Sequence, residues 1–154
     1  MISDSTPLII LAKTNQLNLL KDLFGKISIP QKVKEEVIYN EKGGSQPILK
    51  AISERWIIIE DPKEEIVTDL DKGENAALSL AKEKKDNIII DDARAMKAAR
   101  AMEIPYYRTT SLLFLAIKKK IFTKKQARSL LTHFLKEGYY LSPHQYATIL
   151  DQLL

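Results

Sequence analysis

Three short runs of this chain are dominated by isoleucine. Lys26-Ile27-Ser28-Ile29, Trp56-Ile57-Ile58-Ile59 and Asn87-Ile88-Ile89-Ile90 hold only three polar residues between them, Lys26, Ser28 and Asn87. A strand with one wet face alternates apolar and polar residues, whereas a strand buried on both faces does not. Such runs demand cover on two sides. Between them lie segments of helical period, as in Gln16 to Phe24, where Leu17, Leu20, Leu23 and Phe24 share one face. Strands of this kind alternating with helices predict a three-layer α/β/α fold around a central parallel sheet.

Met1-Ile2-Ser3 reads as a strand stub and Ile104 to Tyr107 as the last strand. Helices are expected over Pro7–Lys13, Gln16–Phe24, Pro30 to about Asn40, Pro47–Arg55, Gly73–Lys84 and Ala93–Met102. Three more, Ser111–Lys120, Lys124–Lys136 and Pro143–Leu153, form a C-terminal helical extension over about 111–154. Gly25 closes the second helix and Pro30 suits a first helical turn. Glu41 to Ser45 is expected to be a loop, and Glu60 to Asp71 an exposed acidic connection. No repeat or linker divides the 154 residues, so a single domain is expected.

In an open parallel sheet, ligands bind beyond the carboxyl ends of the strands. Asp4 and the Asp91-Asp92 pair follow predicted strands, while Glu36 and Glu74 lie on helices that can point to the same edge. Each acid also has an ordinary explanation. Asp4 can cap the helix near Pro7, Asp91 or Asp92 the helix at Ala93, Glu74 can complement a helix dipole, and Glu36 can pair with Lys32. Their joint placement favours one oxygen-rich pocket. With no cysteine and two histidines, the chain offers few other chemical groups. Such a pocket suits Mg²⁺ or Mn²⁺. Lack of cysteine also fits a cytoplasmic protein. No apolar run of spanning length is present, so no membrane association is expected.

The same stretches resemble the PIN domain family, in particular a branch of uncharacterised archaeal and bacterial members related to toxin–antitoxin ribonucleases. The resemblance rests on Asp4-Ser5-Thr6-Pro7-Leu8-Ile9, on Ile29-Pro30 through Val33, Glu36 and Val37, and on Gly73-Glu74-Asn75-Ala76-Ala77. It continues in Ile90-Asp91-Asp92-Ala93-Arg94-Ala95 and in Gly138-Tyr139-Tyr140-Leu141-Ser142-Pro143, so it runs from about Ser3 to Leu150. It implies a Rossmann-like PIN fold and nuclease activity, usually on RNA. Asp4, Glu74 and Asp91 or Asp92 would hold one or two Mg²⁺ or Mn²⁺ ions, and Glu36 would complete the acidic cluster. Ser5 and Thr109 are candidates for orienting a carboxylate or a water. Relatives often form homodimers, and some are toxins held by an antitoxin protein.

Two positions depart from the family pattern. Only Met1 to Ser3 precede Asp4, where relatives have several more residues, which leaves open a start further upstream. Arg108-Thr109 stands where relatives carry Gly-Thr; Arg108 either blocks a close backbone approach or contacts a phosphate. Arg94, three residues past Asp91, either holds a phosphate or pairs with the neighbouring acid. The net charge of +4 permits a nucleic-acid partner without demanding one. Lys118, Lys119 and Lys120, followed by Lys124, Lys125, Arg128 and Lys136, form either a solvated face or a track for an RNA backbone.

Other chemistries fare worse. A phosphoacceptor receiver domain needs a further Asp after a later strand, and the next one after Asp92 is Asp151. A dinucleotide enzyme needs a Gly-x-Gly-x-x-Gly loop, which is absent. A PIN-like RNA-binding or regulatory module without catalysis remains the main rival.

Overall fold

The structure is a computed structural model that describes residues 1–39, 45–66 and 68–154. Five parallel strands form one sheet: β1 (Ile2–Ser3), β2 (Ile27–Ile29), β3 (Ile57–Ile59), β4 (Ile88–Ile89) and β5 (Tyr106–Tyr107). Their spatial order is β3-β2-β1-β4-β5, so the expected parallel sheet is present and its first strand lies at the centre. Short as it is, β1 is held on both sides. Ile2 stands opposite Ser28 and Ile88, and Ser3 opposite Ile89. The Ile2 amide donates to the Asn87 carbonyl at 2.9 Å and the Asp4 amide to the Ile89 carbonyl at 3.0 Å.

The helices are α1 (Ser5–Lys13), α2 (Asn18–Phe24), α3 (Gln31–Tyr39), α4 (Ser45–Ser53), α5 (Lys72–Lys84) and α6 (Ala93–Ala101). The C-terminal group is α7 (Thr109–Lys118), α8 (Lys124–Lys136) and α9 (Pro143–Gln152). Ile2, Ile27, Ile29, Ile57, Ile88 and Ile89 are all buried, as strands covered on both faces require. Leu8 and Leu11 from α1, Val33 and Val37 from α3, and Leu78 and Leu80 from α5 join the same core. Phe134 of α8 is fully buried, whereas no side chain of α9 is.

Several helix starts differ from expectation. Pro7 and Pro47 were expected to open α1 and α4, but both helices begin two residues earlier, at Ser5 and Ser45. Proline is tolerated throughout a first turn, because those amides have no partner within the helix. Likewise α7 begins at Thr109 rather than Ser111, so the helix follows directly on the last strand. Pro30 precedes α3 instead of opening it. The expected loop over Glu41–Ser45 lies outside the described residues except for Ser45, which is helical, and Asn40 also lies outside them.

Candidate functional site

Asp4 leaves the carboxyl end of central β1 and occupies the N-cap position of α1. A cap explains its backbone but not its side chain, because its carboxylate makes no capping hydrogen bond. The residue is 3% exposed and its Oδ1 is buried without any partner. Buried polar atoms are normally satisfied, so a carboxylate oxygen in this setting suits a cation or a proton. Burial pushes the Asp4 carboxyl up to about 8. The Ser5 backbone amide opposes that rise, while Glu74, Glu36 and Asp71 add to it by repulsion.

Glu36 faces Asp4 from α3. Its carboxyl group is seated against Gly73, and a Cβ on that glycine would stand 2.2 Å from Glu36 Oε1. The glycine of the Gly73-Glu74 pair thus leaves room for the Glu36 carboxylate in this position. Burial raises the Glu36 carboxyl and Asp71 raises it further, while the Ser5 hydroxyl and the Gly73 amide draw it down. Lys32, the expected partner of Glu36, instead pairs with Glu65 at 2.7 Å.

Glu74 sits half-buried in the first turn of α5 and is raised to about 7. Burial is the main cause, followed by repulsion from Asp71 and Asp92. Asp71 caps α5 by accepting the Glu74 amide at 2.8 Å. Sequence reading left Asp71 in an exposed connection. Yet Asp71-Lys72-Gly73-Glu74 has the spacing of a capping box, with an acid at the cap and Glu three residues on. That signal was available and would have drawn Asp71 to the site.

The paired aspartates separate into different roles. Asp92 caps α6, with Oδ2 accepting the Ala95 amide at 2.9 Å, and its charge bears on Glu74. Asp91 turns the other way. Its Oδ1 accepts the Thr109 amide at 3.0 Å and the Tyr139 hydroxyl at 2.6 Å, and its Oδ2 accepts the Thr109 hydroxyl at 2.6 Å. Arg108 Nε lies 4.0 Å from Asp91 Oδ1. Asp91 therefore ties the end of β4 to the start of α7 and to the segment after α8. Tyr139 enters from the Gly138-to-Pro143 stretch, far along the chain from the acids. Its hydroxyl is pushed far up by burial and by the Asp91 charge beside it, so it stays a donor.

The basic residues expected to contact nucleic acid are dispersed. Arg94 pairs with Asp69, not with Asp91 or Asp92. Lys119 donates to the Leu23 carbonyl at 3.1 Å, at the end of α2. Lys124 and Arg128 donate to the carbonyls of Leu154 and Leu153. No single track emerges from these residues. Lys118 is exposed and lines a groove together with Arg108.

Among the described residues, no three acidic, histidine or cysteine side chains converge closely enough to cage a metal ion. The donor set nonetheless fits a hard cation. All its atoms are carboxylate oxygens, they repel one another, and Asp4 Oδ1 lacks a partner. Mg²⁺ retains several waters and takes only one or two carboxylates directly, so a loose acidic rim suffices. No helix among the described residues is long and apolar enough to cross a membrane.

A PilT N-terminus domain protein from the hyperthermophilic archaeon Sulfolobus solfataricus has a similar structure, with a TM-score of 0.56 and 18% identity. The match covers 75% of this chain and 93% of that one, and at this identity it speaks for the fold alone. No curated protein sequence matches significantly. The sequence model of a PIN domain family matches residues 1–154. With Asp4 and Asp92 following central strands and Glu36 and Glu74 on flanking helices, and with the whole sequence matched, the chain belongs to the PIN domain family, whose members are generally nucleases that use divalent metals.

Proposed function

We propose that this protein is a metal-dependent ribonuclease that hydrolyses phosphodiester bonds of single-stranded RNA. The observation that carries the reading is the buried Asp4 carboxylate, with Oδ1 unpartnered and its ionisation opposed by Glu74 and Glu36. A carboxylate so placed is costly unless a cation offsets its charge. Asp4, Glu74 and Asp92 would hold Mg²⁺ or Mn²⁺, directly or through water, with Glu36 completing the negative rim. When bound, the cation supplies Lewis acidity, activating a water and offsetting charge on the phosphoryl group.

The remaining work falls to the chain itself. Gly73 and Ser5 keep the Glu36 carboxylate in place. Asp71 fixes the first turn of α5 and so aims Glu74. Asp91 does not face this rim; it positions Thr109, Tyr139 and Arg108 at the neighbouring strand end. The rival reading, an RNA-binding or regulatory module without catalysis, draws on the lack of a ready-made cage of three acids among the described residues.

Purified protein with labelled single-stranded RNA separates the two, in Mg²⁺ or Mn²⁺ and then in EDTA. Cleavage that needs the metal and falls at least about a hundredfold in Asp4→Asn and Glu74→Gln supports the nuclease. Binding without cleavage under every metal supports the rival. A toxin role is carried by the family resemblance alone. It predicts a cognate antitoxin protein whose binding abolishes cleavage. A homodimer is tested by light scattering at micromolar concentration.

A further inference from the structure

A groove of about 650 Å³ opens between α7 and α9, within the size range of ligand clefts. It starts at the carboxyl edge of the sheet, where Tyr107 ends β5 and Arg108 begins the turn into α7. Its floor is mainly apolar, with Phe114 on one side and Ile149 on the other. The charges lining it are of one sign. Arg108 and Lys118 line it, and none of its described lining residues is Asp or Glu, although the chain has 20 acids. Hydroxyl and amide groups such as Thr148 and Gln145 complete the α9 wall.

We infer that this groove binds the substrate strand beside the acidic rim, taking one or more bases against its apolar floor and backbone phosphates at Arg108 and Lys118. The inference rests on the ribonuclease reading. Three observations favour a single strand of RNA over other occupants. Cationic side chains beside aromatic surface are what an unpaired strand needs, because its phosphates are anionic and its bases have apolar faces. The groove opens next to the proposed site, since β5, ending at groove residue Tyr107, is the sheet neighbour of β4, whose carboxyl end leads to Asp92. Arg108 Nε is buried with no hydrogen-bond partner, so it is not spent on a backbone carbonyl as the Lys124 ammonium and the Arg128 guanidinium are.

The test uses full-length Asp4→Asn protein, to prevent turnover, and a short fluorescein-labelled single-stranded RNA of mixed sequence followed by anisotropy. Lys118→Glu and Thr148→Glu place acid in the groove at exposed positions, and each should weaken Kd about tenfold and flatten its salt dependence. Lys50→Glu makes the same charge change on α4, which packs on β3 at the opposite edge of the sheet, and should shift Kd by less than about twofold. Photocrosslinks from 4-thiouridine in the RNA should map to α7 and α9. Equal weakening by all three variants, or unchanged binding in both groove variants, overturns the groove while metal-dependent cleavage by the wild type keeps the nuclease. Groove-dependent binding without cleavage by the wild type does the reverse. Binding of an acidic amphipathic peptide that RNA fails to displace overturns the groove as an RNA site. Neither cleavage nor binding of RNA overturns both.

Discussion

The carboxylate of Glu36 fills the space that any side chain at Gly73 would need, with Oε1 only 2.2 Å from where a Cβ would stand. Gly73→Ala therefore must displace Glu36. Because Glu36 yields at the mobile end of a half-buried side chain, the shift itself should cost less than about 1 kcal/mol. Chemical denaturation should show that loss in the single variant and little of it in the Glu36→Ala background, since truncating Glu36 vacates the space. Cleavage should fall in both.

Asp4 makes the metal-free protein sensitive to alkali. Its carboxyl ionises freely near 3.8 when unfolded but only at about 8 when folded. The folded state thus keeps its proton longer, so stability is greatest below the lower value and declines as pH rises through the higher one. Glu74, raised to about 7, acts in the same direction. Thermal midpoints in EDTA should fall between pH 4 and pH 8, and Asp4→Asn should flatten the profile. Added Mn²⁺ should restore the midpoint at the alkaline end, because a ligand of the folded state stabilises it.

Asp91 and Asp92 should separate by assay. Asparagine caps a helix as well as aspartate does, so Asp92→Asn keeps the bond to the Ala95 amide and should change stability by less than about 0.5 kcal/mol. Its RNA cleavage should nonetheless drop. Asp91 should respond through stability: Thr109→Val and Tyr139→Phe each remove a donor at 2.6 Å and should cost about 1–3 kcal/mol. The two losses should not add, since both act on one carboxylate.

Arg128 and Lys124 hold the last carbonyls of the chain, those of Leu153 and Leu154. Arg128→Ala should loosen the end of α9 by about 1 kcal/mol. Hydrogen exchange of the Leu150 to Leu154 amides should quicken, with amides of β1 and β4 unchanged.

The fold was legible because strongly apolar strands leave few alternatives: Ile27, Ile57, Ile88 and Ile89 had to be buried, and they are, while Ile58 stays exposed because β3 lies at the edge of the sheet and is covered on one face only. Asp4 and Glu74 could be placed at one edge from strand ends and helix starts alone. The division of labour between Asp91 and Asp92 was not legible. Two neighbours after a strand point to opposite sides, and which side holds the site depends on Thr109 and Tyr139, which lie 18 and 48 residues further on. The partners of Arg94 and Lys32 were hidden similarly, since Asp69 and Glu65 belong to an irregular connection with no period to read. Asp71 was legible but overlooked, masked by the acidic residues around it.

The strand order has a consequence for when the pocket comes into being. Ile2 and Ser3 sit between strands that begin at residues 27 and 88, so the centre of the sheet is made by the earliest and some of the later residues together. Contacts this distant in sequence form late and slowly. On the ribosome, Asp4 and Glu36 would emerge long before Asp92. A partly synthesised chain thus cannot gather its four carboxylates, and a cell making this protein meets the assembled cluster only after Asp92 has left the ribosome.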